Sequence, residues 1–424
     1  ANYLLTPAAL KYGGINPAVL AAYSLYNASP NPKTPIDDER PDAVNNWFTT
    51  PGHSEAWGHN FTASWQLNDT LSFKNILALR SSEVDSSYQL DGLGGVVAGG
   101  APFGFVLNNS QSEDEQWSNE LQMNISTDRF DITAGLIHFH SEQDTGGYDK
   151  EFNTLQFSTI LGQNTAVFPT RFVIPGNTGY KKHSVQVDSD AAYVQPEIHL
   201  TDRLDVFVGA RVTRDDKDGK ETLPGSIAAP SLGRSVPIEY EDTRDTWTAG
   251  VNYRLTDDIL TYAKYATGYI SGGQLATIEF DVETAESFEA GIKADLFDQR
   301  LRSNLAVFQV DYESIQQATL GTLTGVPSAA QFSQAIVPSA DADAMGVEWE
   351  NTLVAMDGLT LTANVGYLDF EFDQDSVFPG FANASGIPGF QEFHRPEWTG
   401  SFAAQYETGE VLAGGYLIFR ADAN

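Results

Sequence analysis

Between Thr246 and Tyr265 the chain alternates apolar and polar residues, with a single three-residue break. Trp247, Ala249, Val251, Tyr253 and Leu255 interleave with Thr246, Thr248, Gly250, Asn252 and Arg254. Thr256-Asp-Asp258 interrupts the pattern, and Ile259 to Tyr265 resumes it. Successive side chains of a strand point to opposite faces, so one face here is fatty and the other carries amide, hydroxyl and guanidinium groups. Two such runs around a short polar break predict an antiparallel hairpin.

The same device occurs seven times and predicts 14 strands. Trp57–Leu67 and Leu71–Tyr88 flank 68–70, Glu115–Ile125 and Phe130–His140 flank 126–129, and Val185–Leu200 and Leu204–Thr213 flank 201–203. After the Thr246 hairpin, Ala285–Leu296 and Leu301–Ile315 flank 297–300, and Met345–Val354 and Leu359–Phe372 flank 355–358. Trp398–Tyr406 and Val411–Arg420 flank 407–409. Asp, Asn, Gly and Thr at these corners suit tight turns, because they accept left-handed or self-capped backbone. The connections between hairpins are long: 91–114, 141–184, 215–242, 271–283, 316–343 and 373–394. A compact domain tolerates few such loops. Short turns at one end, long loops at the other and two-faced strands predict an all-β, antiparallel transmembrane barrel. Residues 1–55, with seven prolines and little alternation, read as a long extracellular loop segment, and 56–424 as barrel.

The faces can be assigned. Phe61, Ala63, Trp65 and Leu67 are placed toward lipid, as are Val194, Ile198 and Leu200, and Phe288, Ala290 and Ile292. Arg211, Arg254 and Lys293 belong to the lumen, since Lys or Arg facing lipid at the midplane costs about 2–4 kcal/mol. In Leu301–Tyr312 apolar residues occupy both parities, which leaves two readings, a bulge or a lumen-packed second face.

Composition sharpens this picture. No run of 18 apolar residues exists, so apolar helices do not carry the chain across a membrane. Aromatic residues reach 12%, as interfacial girdles require. Lys plus Arg number 24 against 57 Asp plus Glu, a net charge of −33, which argues against nucleic acid as a partner. Cysteine is absent, which removes disulfides and thiolate sites. The chain starts Ala1-Asn-Tyr and stops at Asp422-Ala-Asn424, and is read as a piece of a longer polypeptide.

Several stretches resemble the barrel of the TonB-dependent outer-membrane receptors. They are Lys264-Tyr-Ala-Thr-Gly-Tyr-Ile-Ser-Gly-Gly273, Glu283-Thr-Ala-Glu-Ser-Phe-Glu-Ala-Gly-Ile-Lys-Ala-Asp295, Arg300-Leu-Arg-Ser-Asn-Leu-Ala-Val-Phe308 and Asp311-Tyr-Glu-Ser-Ile-Gln316. Gly346-Val-Glu-Trp-Glu350 and His394-Arg-Pro-Glu-Trp-Thr-Gly400 add to them. The resemblance spans about 56–424 and is strongest in 241–420. It implies 14 strands of a 22-stranded barrel, with the plug and its TonB-contacting box absent from this chain. It further implies ligand-gated uptake across the outer membrane of a Gram-negative bacterium, most often of a ferric siderophore. Energy would come from the TonB complex acting through the absent plug, with no catalysis, no cofactor and outer-membrane lipid as surroundings. The rival readings are a passive porin-like or structural barrel and a soluble all-β carbohydrate-binding protein or enzyme.

Other constellations were weighed for chemistry. His138-Phe-His140 has the spacing of a metal pair, but without a third ligand it reads as an interface or lumen pair. His53 and His59 beside Trp57 are candidates for contact with haem or an iron chelate. Asp215-Asp-Lys-Asp-Gly-Lys-Glu221 resembles a calcium loop, yet Arg214 and Gly225 stand where the first and twelfth ligands belong, so a solvated turn is expected. Gly92-Leu-Gly-Gly95 and Gly99-Gly-Ala-Pro102 lack the strand–turn–helix context of a nucleotide site. Glu283, Glu286 and Glu289, three apart on a strand, cannot converge on one bond. Tyr88, Tyr148, Tyr180, Phe378, Phe381, Phe390 and Phe393 lie in or near long loops, where rings can stack on a chelate or sugar. No catalytic, cofactor or metal residue is assigned, and the substrate-binding residues are left open.

Overall fold

The structure, a computed structural model, describes residues 52–89, 97–98, 101–102, 107–146, 182–223, 234–275, 278–323, 334–338, 340–373, 381–383, 395–410 and 414–423. Fourteen strands form one antiparallel sheet in which each pairs with its neighbours in chain order. They are β1 (Gly52–Gln66), β2 (Leu71–Gln89), β3 (Leu107–Ser126), β4 (Phe130–Gly146), β5 (Lys182–Thr201), β6 (Leu204–Leu223) and β7 (Arg234–Thr256). There follow β8 (Ile259–Ile270), β9 (Glu283–Leu296), β10 (Leu301–Glu313), β11 (Ala342–Met356), β12 (Leu359–Phe372), β13 (Trp398–Glu407) and β14 (Ile418–Ala423). Among the described residues β1 pairs only with β2 and β14 only with β13, so the sheet has two edges. The proposed loop segment 1–55 lies outside the described residues up to position 51, and β1 starts at Gly52.

All seven predicted hairpins are present, and the first six turns stand where the polar breaks placed them. Asn68 closes the first by accepting from the amides of Thr70 and Leu71, both at 2.9 Å. At 355–358 Gly358 takes φ 78°, a left-handed conformation open to glycine at no steric cost. The seventh hairpin differs from expectation. Its connection runs on from Glu407 to Leu417, whose carbonyl accepts from the Thr408 amide at 2.9 Å, and β14 starts at Ile418 rather than Val411. Asp215–Glu221, expected as a turn, is instead regular β6, paired on both sides with β5 and β7. Parts of the expected loops 271–283, 316–343 and 373–394 also form strands: Gly273–Leu275 with Ile278–Phe280, and Gln316–Leu323 with Gln334–Pro338 and Phe381–Asn383.

The two faces of the sheet separate cleanly. Phe61, Trp65, Leu136, Ile198, Val208, Phe288 and Phe402 are exposed on one face, while their alternating polar neighbours are mostly half-buried on the other. An apolar face left uncovered across a whole sheet is what a bilayer-spanning barrel presents to lipid. Aromatic rings border it at two heights. Trp57, Trp117, Trp247 and Trp398 lie toward the long-loop end, Trp65 and Tyr406 toward the short turns. Trp57 and Trp65 are about 26 Å apart along β1 at 3.3 Å per residue, close to the height of such a band. Beyond the upper rings the outer face turns acidic, with Asp190, Asp245, Glu286, Asp311, Asp343 and Asp369 exposed. These carboxylates lie where the wall approaches or rises past the 9–11 residues needed to cross.

Packing on the inner face settles the ambiguous run. Leu301–Tyr312 is continuous in register with both neighbours, so no bulge occurs, and its second apolar set packs on the lumen side. The Phe308 ring lies over Gly346, directly opposite on β11. Tyr193 covers Gly135, Phe207 covers Gly250 and Tyr262 covers Gly291 in the same way, each pair being direct cross-strand partners. A Cβ on any of these glycines would overlap the ring. These pairs join β4 to β5, β6 to β7, β8 to β9 and β10 to β11, which are the interfaces bridged by long connections rather than by short turns.

Candidate functional site on the lumen wall

At the long-loop end the chain after β8 folds back over the inner wall of β6 and β7. Lys217 Nζ donates to the carbonyls of Gly272 (2.6 Å) and Ser271 (3.4 Å) and lies 5.4 Å from the centre of the Tyr240 ring. The Tyr240 hydroxyl accepts from the Gly272 amide (3.1 Å) and donates to Asp242 (3.2 Å). Arg244 Nε binds the same Asp242 oxygen at 2.6 Å, and Tyr269 donates to the buried Asp215 at 2.7 Å. Burial pushes the Lys217 ammonium below the usual lysine range, opposed by Asp215. Burial also pushes Asp242 up, but the Arg244 hydrogen bond and charge overcome it and leave the carboxyl below its ordinary value. The result is a fixed wall at the long-loop end in which cations and phenol rings are paired with Asp215, Asp242 and backbone carbonyls.

Further round the mouth, Tyr312, Ile315, Ala340, Ala342, Phe370 and Phe372 form an apolar cluster on the inner face. The Arg395 guanidinium lies 3.7 Å from the centre of the Phe370 ring, a cation–π contact on the sequence run that follows position 394. Lower on the wall, Glu289 binds Lys264 (2.9 Å) and accepts from Tyr262 (2.6 Å), while Lys293 Nζ lies 5.4 Å from the Tyr262 ring centre. Tyr193 donates to Glu120 at 2.5 Å. Near the short turns, Asp131, His199, Asp205 and Arg254 form a chain across β4, β5, β6 and β7: His199 meets Asp205 at 2.8 Å and Asp131 at 3.2 Å, and Arg254 donates to Asp205 at 3.0 Å. Cationic and aromatic groups on a polar wall bind anionic, ring-bearing ligands by ion pairing and stacking. By contrast, a cavity of about 730 Å3 at the ends of β2–β6 is lined largely by carboxylates, among them Glu83, Glu113, Glu142 and Asp218, and suits hydration or cations.

The residues singled out from sequence are placed as follows. His138 and His140 share the outer face with Leu136, beside Trp117 at 4.8 and 6.1 Å between ring centres. They pair with Asp190 (2.8 Å) and Asp188 (2.7 Å) respectively, an arrangement of the outer interface and not of the lumen. His53 and His59 lie exposed on β1, with His59 5.5 Å from Trp57 on the apolar side. Glu286 binds Tyr265 on the outer face and Glu289 binds Lys264 on the inner, so the glutamates diverge as their spacing requires. Glu283 caps the amide of Gln316 at 2.8 Å. Tyr88 and Phe381 stand in strands without described side chains, and Tyr148, Tyr180, Phe378, Phe390, Phe393 and Gly92–Gly95 lie outside the described residues. Sequence reading missed the Asp131–His199–Asp205 chain; His199 and Asp205 flank a short turn at matching distance, and that spacing was the available signal.

Comparison with known proteins agrees with this architecture. The family model described as "TonB dependent receptor-like, beta-barrel" matches residues 4–423. The metal-pseudopaline receptor CntO of Pseudomonas aeruginosa is 25% identical over 226 residues, which cover 52% of this chain and 28% of that protein. A ferric-pyoverdine receptor of Pseudomonas putida is 29% identical over 145 residues, 32% of this chain and 16% of the relative. Among solved structures, the ferric yersiniabactin uptake receptor FyuA from Yersinia pestis superposes with a TM-score of 0.64 at 17% identity, covering 90% of this chain and 53% of that one. The chain thus spans about half the length of that receptor and aligns with less than a third of the curated relatives. A family match along nearly the whole sequence, joined to a two-faced antiparallel wall of 14 strands, makes this chain a member of the TonB-dependent receptor β-barrel family.

Proposed function

We propose that this chain forms part of the barrel of a receptor in the outer membrane of a Gram-negative bacterium, and that the receptor imports a metal chelate of the siderophore type. Residues 1–55 would serve as an extracellular loop segment and 56–424 as barrel wall. The observation that carries the reading is the inner wall at the mouth. In a chain of net charge −33 it gathers Arg211, Lys217, Arg244 and the phenols of Tyr240 and Tyr269 on adjoining strands, with Asp215 and Asp242 paired among them. Guanidinium groups and phenol rings set in a polar wall are partners for a metal chelate by ion pairing and stacking. The names of the relatives agree, being receptors for metal-pseudopaline, ferric pyoverdine and ferric yersiniabactin. The transport step would be energised by the TonB complex acting through a plug, and would involve no bond-making by the barrel.

The test is growth of a deletion strain under iron limitation on a panel of ferric chelates, with and without TonB. The expected result is loss of growth on one chelate class, restored by the intact gene only where TonB is present. Restoration that is independent of TonB would replace this reading by a passive pore, and no phenotype on any chelate would remove the siderophore.

A further inference from the structure

We propose that Glu197, His199 and Asp205 form a site for a divalent transition metal ion of the zinc type on the inner wall near the short turns. One ligand atom from each of the three lies within 4.8 Å of the others. Ligand atoms around zinc stand about 2.0–2.1 Å from the metal, hence about 3–3.5 Å from each other, so a small inward rotation of the side chains brings this triangle to coordination distance. Imidazole and carboxylate are the donors that zinc, nickel and copper accept together.

Both outer partners that orient such ligands are already present. His199 Nε2 stands 3.2 Å from Asp131 Oδ2 and Nδ1 stands 2.8 Å from Asp205 Oδ1, so a carboxylate orients the ring from each side. A proton shared between Nδ1 and the Asp205 oxygen is what a metal ion binding both atoms would displace. Arg254 Nη1 holds the other oxygen of the buried Asp205 at 3.0 Å, leaving Oδ1 directed at the imidazole. A carboxylate behind the histidine and a hydrogen bond behind the ligating carboxylate are the supports that metal centres use. The backbone contributes as well: the β5–β6 register shifts between His199 and Thr201, an irregularity that re-aims a side chain. Asp131 stands directly opposite Glu197, so three strands converge on one point. With three protein donors, water completes the shell.

The site is independent of the ligand carried through the lumen, so its test uses Zn2+ alone. The intact receptor, purified in detergent and stripped of metal, is titrated calorimetrically with Zn2+, and the visible spectrum is followed with Co2+. The expected result is a zinc site that His199→Ala and Glu197→Gln each weaken about tenfold or more, and Asp131→Asn by a comparable or smaller factor. Cobalt should give visible absorption in the wild type that His199→Ala abolishes. A His138→Ala/His140→Ala double variant should retain both signals, since that pair lies on the outer face. Heat-modifiable gel migration checks that each barrel is folded, and Glu197→Gln carries the comparison should His199→Ala fail to fold. Zinc affinity equal in the wild type and both ligand variants would overturn the site, as would loss of the signals in the His138/His140 variant.

Discussion

At the scale of single residues, the lumen wall is held by charge-assisted hydrogen bonds whose donors and acceptors come from different strands. Asp242 and Arg244 show what such a pair contributes. They stand on the part of β7 beyond the bilayer-spanning stretch, with Arg244 bound at 2.6 Å and both side chains partly exposed. Solvent screening reduces the worth of the pair, and Arg244→Met should destabilise the barrel by only about 1 kcal/mol at neutral pH. The pH dependence has a definite sign. The folded-state pKa of Asp242 is depressed, so the contribution is present above the ordinary carboxylate pKa and is lost as pH falls through the depressed value. Urea unfolding in detergent or lipid from neutral pH to pH 3 should therefore show the gap between wild type and Arg244→Met narrowing on the acid side. A gap that widened there would contradict the assignment.

At the scale of elements, ring and glycine define each other. The three atoms nearest to a Cβ added at Gly346 all belong to the Phe308 ring. Gly346→Ala should cost about 1–3 kcal/mol through overpacking. The same change made in a Phe308→Ala background should cost clearly less, a non-additivity that a cycle of unfolding measurements resolves. This scale also shows what could be read from the sequence and why the rest could not. The middle of nearly every strand was legible because lipid meets one face and the lumen the other, and that difference writes the alternation. Where strands rise above the bilayer the outer face meets water and polar groups are buried on the inner one, and the alternation fades: Asp215–Leu223 of β6 and Arg234–Asp245 of β7 look like loop in sequence yet are paired strand. The turn after Glu407 was misplaced because Glu407-Thr-Gly409 resembles a tight corner, while the backbone closes only at Thr408 and Leu417. The lumen networks were only partly legible. Lys264 and Glu289 lie in motifs that resemble the family, but which side chains meet depends on register between strands far apart in sequence.

For the molecule as a whole, the two faces follow opposite rules for charge. Val208 is 50% exposed on the apolar side, between the aromatic bands and two residues in from the level of Trp247. Val208→Arg should cost about 2–4 kcal/mol and lower the yield of folded receptor in the membrane. Gln122→Lys on the lumen side, beside Glu120, should change stability by less than about 0.5 kcal/mol. Equal effects at the two positions in lipid-vesicle unfolding would mean that the faces have been assigned wrongly.

The ring-over-glycine pairs carry a last consequence. They fix one hairpin against the next from inside the wall, independently of the connections above them. An insertion or deletion in those connections is expected to leave these pairs in register. Such a barrel can change the surface it shows to the outside world without renegotiating how its staves are joined.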